Sequence, residues 1–417
     1  MRAGNQTSRV LVLGDDMRSF LAVVRSLGRR GIEVHAAPYD REAPALTSRY
    51  IRQVHHLPVY DGNGEAWCRA VERLVRTTRF DLVIPCCDRG LLMFDAHRER
   101  FGALCVAMPS SRVIELLFDK PATRDLARRL GIPTAKGHLL RAGDTAEVLA
   151  GELGLPLFLK PRRSYELRNL RKRRNVERLG SPAAVQALLG RIREPSNWLA
   201  EGSFEGTGVG VSVLSHEGRL LTAFQHRRLR EPAGGGASSK RTSEALRPEL
   251  LDAAAKICGA TALTGVAMFE FREDERTRDW ILVEVNARFW GSLPLPLALG
   301  VDFPRYLYDL LVEGKEVESV RYRTGVYARN MLINAYDVLF RNPQSTPRSL
   351  KSCVLALGRA SALPWRWLRG SEVVDEFVFD DPRPGFQQFA HAARIVLRRR
   401  GAPLLRRASV QSRAAKL

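Results

Sequence analysis

Two runs in the middle of the chain, residues 265–271 (Gly-Val-Ala-Met-Phe-Glu-Phe) and 280–286 (Trp-Ile-Leu-Val-Glu-Val-Asn), flank a charged turn at 272–279. Their β-branched and aromatic content predicts a hairpin. Side chains alternate across a strand, so Val266, Met268 and Glu270 fall on one face and Ala267, Phe269 and Phe271 on the other. In the second run the same alternation groups Leu282, Glu284 and Asn286 against Ile281, Val283 and Val285, with Arg288 at the site parity if the strand continues. A single acid in a hairpin is ordinarily a solvated residue. Two carboxylates, an amide oxygen and an arginine on one face, with Trp280 and Phe289 nearby, are instead a set of hard oxygen ligands for a divalent ion shared with phosphate. Arg288 is then placed for the transferred phosphate.

The chain before this hairpin reads as two kinds of structure. Residues 9–13, 19–30 and 32–36 form a strand–helix–strand pattern, and a helix over 65–77 leads to a strand at 81–85, so residues 1–112 predict a small parallel α/β domain. Only Gly14 stands where a dinucleotide fingerprint needs three glycines, which disfavours a nicotinamide site. Asp119-Lys120-Pro121 opens a helix that stops at Gly131 before Pro133. Strands at 155–160 and 198–201, the glycine-spaced run 206–210, a hairpin over 211–225 and a helix over 248–258 predict an α+β region. Its expected extent is 113–315, in a small lobe over 113–200 and a large lobe over 201–315. Beyond it, prolines at 343, 347, 364, 382, 384 and 403 break the pattern, so 316–417 is expected to be a helical appendage ending in a basic tail.

Composition narrows the function classes. With 45% apolar and 27% charged residues, the 417-residue chain is globular and long enough for several packed subdomains. No stretch reaches the roughly 20 apolar residues that span a bilayer, and no secretion signal is read at the N-terminus. Six cysteines show no Cys-x-x-Cys pair, which argues against a structural metal site and for a reducing cytoplasm. The net charge of +21 is concentrated at 160–178 and in the acid-free stretch 386–417, so local roles are expected and no specific nucleic-acid partner is assigned.

Residues 265–271 and 282–288 together resemble the metal-binding signature of the ATP-grasp superfamily, in its carbamoyl phosphate synthetase-like and biotin carboxylase-like branch, and the resemblance covers roughly residues 9–312. It implies a pre-ATP-grasp α/β domain followed by two α+β lobes that close over ATP and Mg2+, with Mn2+ as an alternative ion. It also implies a ligase that makes an acyl phosphate from a carboxylate and passes the acyl group to an amine or other nucleophile. Carried over residue by residue, Lys120 and Lys160 match the phosphate-binding lysines, and Glu201, Gly202 and Ser203 match the hinge whose backbone reads the adenine edge. Glu270, Glu284 and Asn286 match the metal ligands, and Arg288 the arginine at the acyl phosphate. Residues 225–230 (Gln-His-Arg-Arg-Leu-Arg) resemble a strand that faces ribose and acceptor, which brings in Arg228 and Arg230; an exposed basic edge is the other reading.

This sequence departs from the family pattern after Lys160-Pro161, where a glycine-rich loop is usual but Arg162-Arg163-Ser164-Tyr165 leads into Arg171-Lys172-Arg173-Arg174. The loop either clamps the triphosphate, recruits an anionic substrate, or is solvated. Ala287 stands where proline is commonest. Residues 234–240 read as a flap or a linker, and Asp88-Arg89, at the end of a strand, as substrate contacts or as a cap. His55-His56 is expected to be structural or exposed. Trp365-Arg366-Trp367 and the helical 389–400 raise a peripheral membrane contact. The rival functional readings are a non-catalytic ATP-binding module and a basic membrane- or nucleic-acid-associated protein.

Overall fold

The computed structural model describes residues 8–231, 238–317, 319–331 and 369–394. Apolar strand runs punctuated by helices build the first sheet, whose four parallel strands lie in the order Ile51–Val54, Glu33–Ala37, Arg9–Leu13, Leu82–Pro85. The strand order reverses beside Arg9–Leu13, which makes the carboxyl ends of Arg9–Leu13 and Leu82–Pro85 a topological switch point. The helix Ser19–Arg29 follows the first strand and is buried along almost its whole length, Phe20, Val23, Val24 and Leu27 being fully covered. It packs outward on the helices Pro294–Ala298 and Phe303–Glu313 of the large lobe, so Val10, Phe20, Met268, Trp290 and Phe303 share one core.

The small lobe is a four-stranded antiparallel sheet, Gly137–Leu139, Trp198–Gly202, Leu157–Pro161, Glu177–Leu179, with its own core of Leu149, Leu157, Leu159 and Val185. The linker helix Lys120–Arg129 begins where expected, the Asp119 carboxylate accepting from Ala122 N. It packs against the large lobe, since Leu126, Ala127 and Ile132 join Val209, Phe269 and Val285.

The large lobe is a seven-stranded sheet in the order Trp280–Asn286, Gly265–Glu273, Thr207–His216, Arg219–Arg230, Lys240–Glu244, Tyr327–Arg329, Glu372–Val374. The glycine-spaced run 206–210 is largely strand. The described C-terminal residues are built into the body, with Glu372–Val374 adding a strand parallel to Tyr327–Arg329 and residues 383–394 helical. Asp375 makes a buried two-point ion pair with Arg241, and Asp381 pairs with Arg25 at 2.9 Å. Trp365, Arg366, Trp367, the flap residues 234–237 and the tail from 395 lie outside the described residues. Among the described residues no helix is long and apolar enough to cross a membrane.

The expected alternation in the second metal strand needs a correction. Met268 faces Asn286 and Glu270 faces Glu284, but Phe271 then faces Leu282, so Val283 is an extra residue. Such a bulge reverses parity: Leu282 is buried with Phe271 and Val285 on the core side, while Ile281, opposite Arg272, turns to the cleft side.

Candidate active site

Glu270 sits where one face of its strand passes from core to cleft. Val266 and Met268 on that face belong to the core shared with the first domain, whereas Glu270 and Arg272 line an open cleft between the lobes of about 1220 Å³. Glu284 lies directly opposite Glu270 in the ladder, and Asn286 follows two residues on at the same cleft. Burial and the neighbouring Glu270 charge push the Glu284 carboxyl above its usual range, while Lys120 and Arg288 oppose that rise. Two facing carboxylates under that strain fit a divalent cation, which would relieve the repulsion. Among the described residues no group of three or more His, Cys, Asp or Glu could hold a metal alone. The ion would therefore need nucleotide oxygens as further ligands, which suits Mg2+.

The glycine spacing of 206–210 has its explanation here. Gly210 lies between His226 and Glu270 in the ladder, and a Cβ on it would come within 2.2 Å of the imidazole. A Cβ on Gly208 would meet Arg228 at 2.8 Å. Without side chains on this face, His226 and Arg228 lie across the strand, and Arg228 reaches Glu270 at 2.8 Å and Glu231 at 3.2 Å. Burial lowers the Arg228 pKa, but Glu270 and Glu231 outweigh it and hold the group above its ordinary value.

Alternate residues of the same strand serve another purpose. Gln225 and Arg227 point away, Arg227 pairing with Glu244 and with the buried Glu273, which also takes Arg247 and Arg278. Beyond a register shift after Arg228, Arg230 is not among the residues lining the cleft.

Lys120 and Lys160 both face the cleft. Burial lowers the Lys120 pKa, Glu284 raising it in partial compensation, and its Nζ donates to Ser164 Oγ at 3.1 Å. Lys160 is ion-paired with Glu201, whose other oxygen accepts from Arg124 Nη1 at 2.8 Å. Arg124 is 5% exposed and also bonds Gly137 O, so it locks the hinge acid; sequence reasoning passed over it because a helical arginine normally reads as surface. The Gly202 N–H is spent on Lys136 O at 2.9 Å, which leaves Ser203 as the exposed hinge residue. Phe158, Phe204 and Ile281 line this end of the cleft, an apolar setting for a flat base.

Arg288 follows the end of its strand and pairs with Asp88 of the first domain, Nε to Oδ1 at 2.7 Å. Burial raises the Asp88 carboxyl, but Arg288 outweighs this and holds it below its usual range. The arginine-rich loop is anchored at one point, while Arg163, Arg168, Arg171, Lys172 and Arg173 are exposed. Leu170 is 4% exposed within the first domain's core beside Tyr60, Trp67 and Phe94, and Tyr165 packs at its margin. Arg162 is held by the buried Asp119, and Arg173 lines the cleft. His35 and His55 stack at 5.1 Å against Phe80, away from the cleft.

A parallel α/β domain, a four-stranded lobe and an antiparallel lobe that presents paired carboxylates toward two lysines define an ATP-grasp fold. Within it, residues 194–332 match the family described as "ATP-grasp in the biosynthetic pathway with Ter operon".

The chain is similar to formate-dependent phosphoribosylglycinamide formyltransferase of Chlorobaculum tepidum, 29% identical over 159 residues, or 37% of each chain. The matched stretch thus spans little more than a third of that relative. Among solved structures, N5-carboxyaminoimidazole synthetase from Staphylococcus aureus superposes with a TM-score of 0.61 at 15% identity, covering 82% of this chain and 86% of that one. The biotin carboxylase domain of Hydrogenobacter thermophilus 2-oxoglutarate carboxylase, crystallised with MgADP and bicarbonate, superposes with a TM-score of 0.60 at 17% identity, over 78% of this chain and 74% of that one.

Proposed function

We propose that the protein is an ATP- and Mg2+-dependent ligase that activates a carboxylate as an acyl phosphate for attack by an amine or another nucleophile. The observation that carries this reading is the facing pair Glu270 and Glu284, set in one cleft with Lys120, Lys160, Arg228 and Arg288. The ATP-grasp class and the MgADP-bound neighbour support it.

Lys120 and Lys160 hold the triphosphate as point charges. Mg2+, held by Glu270, Glu284 and Asn286, would neutralise the phosphate oxygens and fix their direction. The substrate carboxylate oxygen attacks the terminal phosphorus, the bond to the bridging oxygen of ADP breaks, and Arg288 balances charge on the transferred group. The amine then attacks the acyl carbon, phosphate leaves with the bonding pair, and the amine proton passes to solvent or phosphate. No covalent enzyme intermediate is required.

The substrates are small molecules, and the five described cysteines are free, which supports a reducing cytoplasmic setting. A second reading, ATP binding without turnover, draws on Arg228, which is spent on Glu270, and on the arginine-rich loop that replaces the glycine-rich one. ADP and phosphate release across a panel of carboxylates and amines tests the ligase. Turnover lost in Glu284→Ala supports it; MgATP binding with no turnover for any pairing favours the second reading.

A further inference from the structure

Beyond the carboxylates the cleft continues to a basic wall that ATP and magnesium leave unexplained. It lies at the switch point of the first domain, where open parallel sheets collect ligands. The helix N-terminus there is already filled. The Asp16 carboxylate accepts from the backbone N–H groups of Arg18, Ser19 and Phe20 at 2.9, 2.7 and 3.1 Å, occupying the place a phosphate would take.

What remains is the Arg18 side chain. Its guanidinium lies in the cleft against Gly291, so close that a Cβ there would stand 2.8 Å from its Cζ. The neighbouring arginines are each neutralised, Arg228 by Glu270, Arg241 by Asp375 and Arg288 by Asp88. No ion pair to Arg18 occurs among the described residues. A half-buried guanidinium without a counter-ion carries a desolvation cost that an anionic ligand offsets. The same wall presents Ser292, and Trp290, whose buried indole N–H has no partner.

We propose that Arg18, backed by Gly291 and Ser292, forms a subsite for a second anionic group, a carboxylate or a phosphate, carried by the substrate. The guanidinium fork takes either in two-point geometry. The substrate class is therefore an acid or acceptor bearing a further negative charge distant from the reacting atoms. This role rests on the ligase reading; the binding of an anion at Arg18 does not.

The test is titration of the MgADP-saturated full chain with inorganic phosphate and, separately, with acetate at constant ionic strength, read by calorimetry. Saturable binding of either is expected, weakened about tenfold or more in Arg18→Gln, as for loss of a charged two-point bond, with MgADP affinity retained. Gly291→Ala, which displaces the guanidinium, should weaken it likewise, and Arg18→Lys should restore it in part. Preference for phosphate points to a phosphorylated substrate, and preference for acetate to a dicarboxylate. Absence of binding, or phosphate binding that survives Arg18→Gln because it occupies only the place of the terminal phosphate of ATP, overturns the proposal. Neither result depends on turnover, so the ligase reading stands or falls separately.

Discussion

Arg288 donates from Nε to Asp88 Oδ1 at 2.7 Å, which ties the end of the metal strand to the first domain across the cleft. The same guanidinium donates from Nη1 to Phe289 O, so its direction is fixed from two sides. Asp88 thus acts as a positioning residue for the arginine at the transferred phosphate. Asp88→Asn keeps the volume and removes the charge. Turnover of a productive substrate pair is expected to fall on the order of 100-fold, the scale of a misplaced catalytic group, with MgADP affinity changed little. An equal loss of MgADP affinity would show that Asp88 only supports the fold.

Glu284 supplies a stability signature that needs no substrate. Burial and the charge of Glu270 raise its carboxyl above the usual carboxylate range. For an acid raised in the folded state, the favourable contribution is complete below the unfolded value and is lost as pH rises through the folded one. The metal-free protein at neutral pH therefore carries a cost at Glu284 that a neutral side chain there would not. Glu284→Gln should raise the melting temperature of the metal-free protein at pH 7.5 and abolish the further rise that MgADP gives the wild type. A variant that melts lower and still responds to MgADP would refute the metal assignment.

The loop after Lys160 should behave as a latched lid. Leu170 inserts among Tyr60, Trp67 and Phe94, and Arg168 backbone lies 3.3 Å from where a Cβ on Gly62 would stand. Leu170→Ala removes the anchor at a cost of about 2–5 kcal/mol by the usual scale for buried leucine. Much of that cost should appear as local opening, not global unfolding, because the loop has few other apolar contacts. Limited trypsin digestion at Arg171 to Arg174 should accelerate well before the global melting temperature falls. Unchanged cleavage there would mean that Leu170 does not hold the loop.

Much of this site was legible because strand alternation is a strong local rule. It predicted Glu270, Glu284 and Asn286 on one face, and the register bears that out, yet it misplaced Leu282 because a bulge at Val283 leaves no signal in side-chain type. The glycines at 208 and 210 were visible as a period-two pattern, but their purpose was not. Only the fold shows that they clear space for His226 and Arg228. The same parity separates Arg228, which lines the cleft, from Arg227, in the ion network around Glu273. Arg124, Asp88 and Leu170 act through partners far away in sequence, and such pairings cannot be read from neighbours along the chain. The joining of residues 372–381 to the body belongs to the same class, since Arg25–Asp381 and Arg241–Asp375 span 356 and 134 positions.

His226 continues the row that runs from Glu284 through Glu270 and Gly210 toward Ser243, and it is 1% exposed. Burial holds its imidazole well below the ordinary value of 6.5, with the charges of Arg228 and Arg241 pushing the same way. The ring is therefore neutral in the folded protein, while the unfolded chain takes up a proton near pH 6.5. For a histidine depressed in this way, stability is complete above the unfolded value and is lost as pH falls toward the folded one. The loss should amount to about 1 kcal/mol between pH 7.5 and 5.5. Urea unfolding of wild type and His226→Gln over that range isolates it, because the other titrating groups are common to both and cancel in the difference. The stability gap between the two proteins should shrink by that amount on acidification. A constant gap would mean that the folded imidazole is protonated alongside the wild-type unfolded one, and that the cationic pair Arg228 and Arg241 does not govern its charge.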